Sequence, residues 1–263
     1  MNKAGSVALL RLIAMLSDEP RPETPSPQEG WFAITHWSVV LAAGQTNTTQ
    51  AGAALEKLCR TYWYPLYAFI RRQGQSPHDA QDLTQGFFAL LLEKNYVGLA
   101  DRENGKFRSF LLTALNHFLG DQRDRANALK RGGGKVVISL EEQAAEGRWS
   151  LEPATDLSRE MEYEKLWAVT VLQQALSHLR EETDKTGRGQ MFEGLKPFLE
   201  GETRPGDYAA VAAKLGMTAN SAAVTVHRLR QRYRELVRTE IANTVASVEE
   251  IEDELRHLFA VLA

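Results

Sequence analysis

Apolar residues return every three or four positions along most of this chain, the period of an α-helix packed on one side. The clearest case is residues 207–238, where Tyr208, Val211, Ala212 and Leu215 fall at i, i+3, i+4 and i+7 of a short helix that Asp207 can cap. Gly216 then stands where a helix end wants a left-handed residue, and Thr218 can accept the orphan N–H groups of a second helix. In that second helix Ala222, Val226, Leu229, Tyr233 and Leu236 share a narrow arc and form the expected buried seam. The opposite arc carries Asn220, Val224, His227, Arg228, Gln231, Arg234 and Arg238. A helix-turn-helix is the expected result. Its outer face suits a DNA major groove: N-terminal side chains at base edges, Val224 against a thymine methyl, later arginines on phosphates.

Upstream, residues 50–73 predict a helix with Leu55, Leu58, Tyr62, Leu66, Phe69 and Ile70 on its core side and a kink at Pro65. Ser76 as cap and Pro77 at the first position begin another helix, with Asp79 and Asp82 complementing its dipole and Leu83, Phe87, Leu90 and Leu91 as its apolar side. After a loop at 93–106, a third helix starts at Phe107; Phe107, Phe110, Leu111, Ala114 and Phe118 face inward and Ser109, Thr113, Asn116, Gly120 and Arg123 outward. Thr35 can cap a short helix ending at Gly44, and KVVISL at 135–140 is the lone strand candidate. The expected class is all-α: two helical domains joined by a flexible linker. The first spans 31–131, the linker 132–159 and the helix-turn-helix domain 160–245, after an N-terminal extension with a Pro-rich linker at 1–30. Residues 246–263 predict an acidic amphipathic helix, either a terminal core helix or a strap over the basic helix before it.

Charge sharpens this picture. The 263 residues carry a net −3, so the molecule as a whole is not a basic nucleic-acid binder. The charge is segregated, however. Residues 204–238 hold seven Lys/Arg against two Asp/Glu, and residues 102–135 eight against three, each a net +5. Residues 141–165 hold eight acids against three bases and residues 239–263 six against one, each a net −5. Two basic blocks, each on a predicted helix, fit a protein that touches a polyanion at two places.

Catalytic chemistry finds no foothold. There is no phosphate loop, HExxH or CxxC, and the six histidines lack ligand spacing, so no metal, cofactor or enzyme activity is expected. The single Cys59 lies in an apolar helical pattern and reads as a core thiol, consistent with a cytoplasmic protein. The apolar stretch 7–16 is interrupted by Arg11 and is too short to span a bilayer, so no membrane partner is expected.

DAQDLTQGFFALLLEK at 79–94 resembles the core-binding helix of sigma-70 family RNA polymerase sigma factors, with their Asp-Ala-x-Asp-Leu-x-Gln-x-x-Phe pattern. FRSFLLTALNHFLGDQRDR at 107–125 resembles the helix that follows it, which melts promoters and recognises the minus-ten element, and the helix-turn-helix resembles the minus-thirty-five domain. Two domains in this order resemble the extracytoplasmic-function (ECF) group, and the resemblance covers 55–131 and 166–237. It implies a sigma region-2-like bundle in which Asp79, Asp82, Leu83, Gln85 and Phe88 dock on bacterial core RNA polymerase. It also implies that Arg108, Asn116, Arg123, Arg125, Lys130 and Arg131 follow promoter DNA where the non-template strand is displaced. In the carboxyl-terminal domain, Thr218, Asn220, Ser221, Val224, His227, Arg228, Arg230 and Gln231 would meet duplex DNA. His117 stands where many relatives carry Asn, Arg123 where they carry an apolar residue, and Phe110 replaces a frequent Trp. An unidentified anti-sigma protein is a further partner that the resemblance allows. The alternatives are a helix-turn-helix regulator that binds duplex DNA without polymerase, and a polymerase-binding scaffold that uses the same helices for protein contacts only.

Overall fold

The computed structural model describes residues 49–93, 106–128, 146–149, 157–199, 206–245 and 247–263. Regular structure among the described residues is entirely helical. The helices are α1 (Thr49–Arg72), α2 (Pro77–Glu93), α3 (Phe107–Ala128), α4 (Arg159–Lys185), α5 (Gly189–Leu195), α6 (Asp207–Lys214), α7 (Ala219–Ala242) and α8 (Ile251–Leu262). Short 3-10 turns cover Lys196–Phe198 and Val248–Glu250. The N-terminal extension, the expected helix at 35–44, the loop 94–105 and the strand candidate at 135–140 lie outside the described residues.

Two compact units divide the chain. The first contains α1, α2, α3 and the opening of α4 through Trp167, with Ala242–Ile251 counted to it. Here α1 departs from expectation. Instead of one apolar stripe, Tyr62, Tyr64, Leu66, Tyr67, Ala68, Phe69 and Ile70 are all buried, as in a helix surrounded on every side. Pro65 sits inside it. The start of α2 follows the expected chemistry: the Asp79 N–H donates to Ser76 Oγ at 3.1 Å, and the Ser76 hydroxyl donates to Asp79 Oδ2 at 2.6 Å. On α3, Phe107, Leu111 and Phe118 are buried as expected, but Leu115 and Leu119 join them while Phe110 is only half-buried.

The opening of α4 corrects the expected boundary at residue 160. Tyr163 and Trp167, one turn apart, are completely buried in the first unit. The Trp167 indole N–H donates to the Tyr62 hydroxyl at 3.0 Å, and the Tyr62 ring meets Phe107 edge-on at 5.1 Å. The Tyr163 hydroxyl donates to the Arg108 carbonyl at 3.0 Å. Large aromatics buried with their polar tips satisfied each contribute about 1.5–3 kcal/mol, so this end of α4 belongs energetically to the first unit.

The second unit holds Ala168–Ile241 and Glu252–Ala263. Its seam on α7 is as expected: Ala222, Val226, Leu229, Tyr233 and Leu236 are buried, and the Tyr233 hydroxyl donates to the Leu172 carbonyl at 3.0 Å. In α8, Leu258, Leu262 and Glu254 are buried, and Glu252 pairs with Arg238 of α7. The tail is therefore a terminal core helix. Of the outer arc it reaches only Arg238, near the C-terminal end of α7, while the outer residues of the N-terminal half of α7 remain exposed.

Candidate nucleic-acid interface

The turn between α6 and α7 is built by local backbone chemistry. Gly216 takes φ +66°, a conformation open to glycine at no steric cost. It lets the Met217 N–H reach the Ala212 carbonyl at 3.0 Å and the Gly216 N–H the Ala213 carbonyl at 3.4 Å, a Schellman closure of α6. Thr218 Oγ1 then accepts from the Ser221 N–H at 3.1 Å and caps α7. At the other end of α6 the expectation fails: Gly206, at φ +97°, occupies the cap position and Asp207 is the first helical residue, where its charge still opposes the helix dipole. Support comes from α5. A Cβ on Gly194 would lie 3.2 Å from Leu215, and the Phe198 and Tyr208 rings sit 5.2 Å apart.

From this frame α7 projects Asn220, Ser221, Val224, His227, Arg228 and Gln231 outward, all exposed, with Thr218 exposed at its head. Val224 is 43% exposed, an apolar side chain among polar ones. The arginine ladder is thinner than its composition implies. Arg230 turns inward: its Nη2 donates to the Phe198 carbonyl at 2.6 Å, and burial draws its guanidinium below the ordinary arginine range. It braces the 3-10 turn and is withdrawn from the outer face. Arg232 forks onto Glu182 at 2.9 and 2.8 Å and also meets Glu235 at 2.6 Å. Among the described residues Arg228 holds no ion pair.

In the first unit, Asp79, Asp82 and Gln85 are exposed along α2 and Leu83 is half-buried. Asp79 is engaged by the Ser76 cap, and Asp82 lies 3.3 Å from His78. Phe88 does not offer its ring to a partner: it is 7% exposed and packs against Phe87 at 5.7 Å. On α3, Asn116 and Arg123 are exposed, and Arg123 donates to Gln73. Arg108 is the main correction. It is buried, donates to both oxygens of Glu164 at 2.6 and 2.8 Å, and covers the Trp167 ring at 5.1 Å. Helical spacing sets Arg108 one turn before the buried Leu111, a cue that its expected place on promoter DNA left unused, and its acid, 56 residues away, left no local signal. The Arg125 side chain, Lys130 and Arg131 lie outside the described residues.

One cluster was not anticipated at all. Residues 146–149, assigned to the linker, form a helical turn that engages α1. The Tyr67 hydroxyl donates to Glu146 Oε2 at 2.6 Å, and Arg71 forks onto the same carboxylate at 3.2 and 3.0 Å. Burial and then the Glu146 carboxylate push the Tyr67 phenol well above its ordinary range. Burial pushes the Glu146 carboxyl up, yet the Arg71 and Tyr67 hydrogen bonds outweigh it and hold the carboxyl below its usual value. Trp149 stacks with the guanidinium of Arg72 at 4.5 Å, and Arg148 covers Tyr64 at 3.7 Å. Partners 75 residues apart leave no periodic trace in a sequence.

Among the described residues no cluster of His, Cys, Asp or Glu could hold a metal ion, and no helix is long and apolar enough to cross a membrane. In comparisons with protein-family models, curated proteins and solved structures, the chain matches none.

Proposed function

We propose that this chain is an alternative RNA polymerase sigma factor of the sigma-70 family, ECF-like, which binds core polymerase, recognises promoter DNA and supports strand opening. The observation that carries the reading is the uncovered outer face of α7: Asn220, Ser221, Val224, His227, Arg228 and Gln231 leave a capped helix N-terminus on a braced turn. Amide, hydroxyl, imidazole, guanidinium and methyl groups on one helix face match the donors, acceptors and thymine methyls of a major groove. The second support is the exposed acidic and amide edge of α2, Asp79, Asp82 and Gln85, within the motif that resembles a core-binding helix.

The mechanism is physical and contains no bond-making step. Asp82 and Gln85 would dock the first unit on polymerase, while Asn116 and Arg123, with Arg125, Lys130 and Arg131 downstream, would follow the DNA backbone. Unstacking a base costs a few kcal/mol, and capture of the displaced strand together with backbone contacts supplies it. The duplex face on α7 would set the register.

Run-off transcription with purified bacterial core polymerase on genomic fragments tests the reading. Initiation that depends on this chain is the expected result. Silence from a folded chain, under conditions where a housekeeping sigma initiates, would discard it. A regulator working without polymerase would instead bind duplex DNA specifically by itself.

A further inference from the structure

Of the five arginines on α7, the fold leaves one well placed to read a base. Arg230 is committed to the Phe198 carbonyl, Arg232 to Glu182 and Glu235, Arg238 to Glu252, and Arg234 is half-buried. Arg228 is exposed and, among the described residues, holds no ion pair. One turn before it stands Val224, 43% exposed. A β-branched side chain in the open neither builds the core nor favours the helix, so folding gives no reason for a valine there. Its neighbours on that face are Ser221, His227 and Arg228, all exposed. Four residues of helix advance about 6 Å, stacked bases lie about 3.4 Å apart, and helical side chains lean toward the N-terminus. The long Arg228 side chain therefore reaches back to the base beside the one that the short Val224 meets. Valine offers only apolar contact, and the apolar group of a major groove is the C5 methyl of thymine; arginine forks onto guanine O6 and N7.

We propose that Val224 and Arg228 together read a 5-methylpyrimidine–guanine step in duplex DNA, Val224 on the methyl and Arg228 on the guanine. Thymine followed by guanine satisfies it. So does cytosine methylated at C5 and followed by guanine, because the methyl occupies the same place in the groove and valine contacts neither O4 nor N4. Unmethylated CpG lacks the methyl and sets the apolar side chain against a polar edge. Sites read by α7 therefore divide by cytosine methylation, which makes this face a reader of a covalent mark as well as of sequence. The inference deepens the reading of α7 as a duplex-reading helix and rests on it.

Selection of duplexes from a random library by the full chain, with and without core polymerase, tests it, using one pool as synthesised and one methylated at CpG. The ordinary pool should yield TpG at a fixed place in the selected sites, and the methylated pool TpG together with methylated CpG. Replacing that thymine by uracil removes only the methyl and should weaken binding by the parent about fourfold, the worth of one buried methyl. Val224→Ala should bind the thymine and uracil duplexes alike, while Val224→Thr, which keeps a methyl, should retain part of the difference. Arg228→Ala should lose about tenfold in affinity and the preference for guanine, yet keep the difference between thymine and uracil. Both side chains are exposed, so each variant should keep a native circular dichroism spectrum. No selected site in either arm, selected sites without this step, or a uracil effect unchanged in Val224→Ala would overturn the proposal. Run-off transcription without such a step would leave the sigma-factor reading standing, whereas failed run-off with the step selected by the chain alone would discard that reading and keep this one.

Discussion

Arg108 donates to both carboxylate oxygens of Glu164, at 2.6 and 2.8 Å, across a sequence separation of 56 residues. Their side chains are 6% and 18% exposed. A cation this deep, with its acid supplied by the opening of α4, ties α3 to α4 within the first unit and is unavailable to a DNA backbone. Removing one partner leaves the other charge buried and uncompensated. Arg108→Ala should therefore cost about 3–5 kcal/mol in urea unfolding. Arg123→Ala, at an exposed position on the same helix, should stay within about 0.5 kcal/mol of the parent and reduce nucleic-acid affinity instead. Equal stability of the two variants would remove the structural role assigned to Arg108.

Arg228 and Arg230 are two residues apart on α7 and should behave oppositely. Arg228 is exposed on the outer face, so Arg228→Ala should weaken duplex binding by about 1–3 kcal/mol if it reads a base, or lower the salt slope by about one if it meets a phosphate. Arg230 donates to the Phe198 carbonyl at 2.6 Å. Its loss should appear as about 1.5–3 kcal/mol of stability, the worth of a charged hydrogen bond, with the salt slope of binding unchanged. Titrations of both variants at several salt concentrations, beside their melting curves, separate these outcomes.

Local chemistry was the part of this fold open to reading from residue order. Ser76 with Pro77, Gly216 and Thr218 announce their caps and turn because each acts within about four residues, and the α7 seam follows from helical period alone. Asp207 misled because Gly206 could take the left-handed cap, and two adjacent cap formers compete on energies too close to rank by eye. What periodicity could not supply was the distant partner. Arg108, Arg230 and Arg232 look alike in sequence, yet Glu164, the Phe198 carbonyl and Glu182 make each one structural. Phe88 was misjudged for a related reason: a motif position says nothing of which way its ring turns. The domain boundary slipped because α4 continues past it without a break, its first residues belonging to one unit and the remainder to the other.

The turn between α6 and α7 makes its own prediction. At φ +66° a Cβ is strained whatever the space around it, and nothing lies within 4 Å of the position it would take. Gly216→Ala should thus cost about 1–2 kcal/mol through backbone strain alone. Gly216→Asn should cost less, since Asn tolerates the left-handed region. Thr218→Ala, which removes the cap accepted by the Ser221 N–H, should cost about 1 kcal/mol. Thermal melts followed by circular dichroism check the order Ala worse than Asn at 216; a reversal would indicate that crowding rather than backbone conformation governs the turn.

Glu182 provides a pH test of the second unit. The hydrogen bond from Arg232 draws its carboxyl below the ordinary value of 4.5, against an opposing push from burial, and the positive charge of Arg232 adds to the lowering. A carboxyl lowered in the folded state stabilises that state above its unfolded pKa, and the contribution disappears as pH falls through the lowered folded value. The two side chains are 47% and 42% exposed, so solvent screening limits the pair to about 0.2–1 kcal/mol. Urea unfolding of the parent and of Glu182→Gln should therefore differ by a constant amount at neutral pH, and the gap should close as the solution is acidified below the ordinary glutamate range. The same gap should shrink at about 1 M salt, where the screening length falls to about 3 Å. A gap that widened on acidification would mean that Glu182 is destabilised by its surroundings, and Arg232 would then have to be restored to the outward-facing arginines of α7.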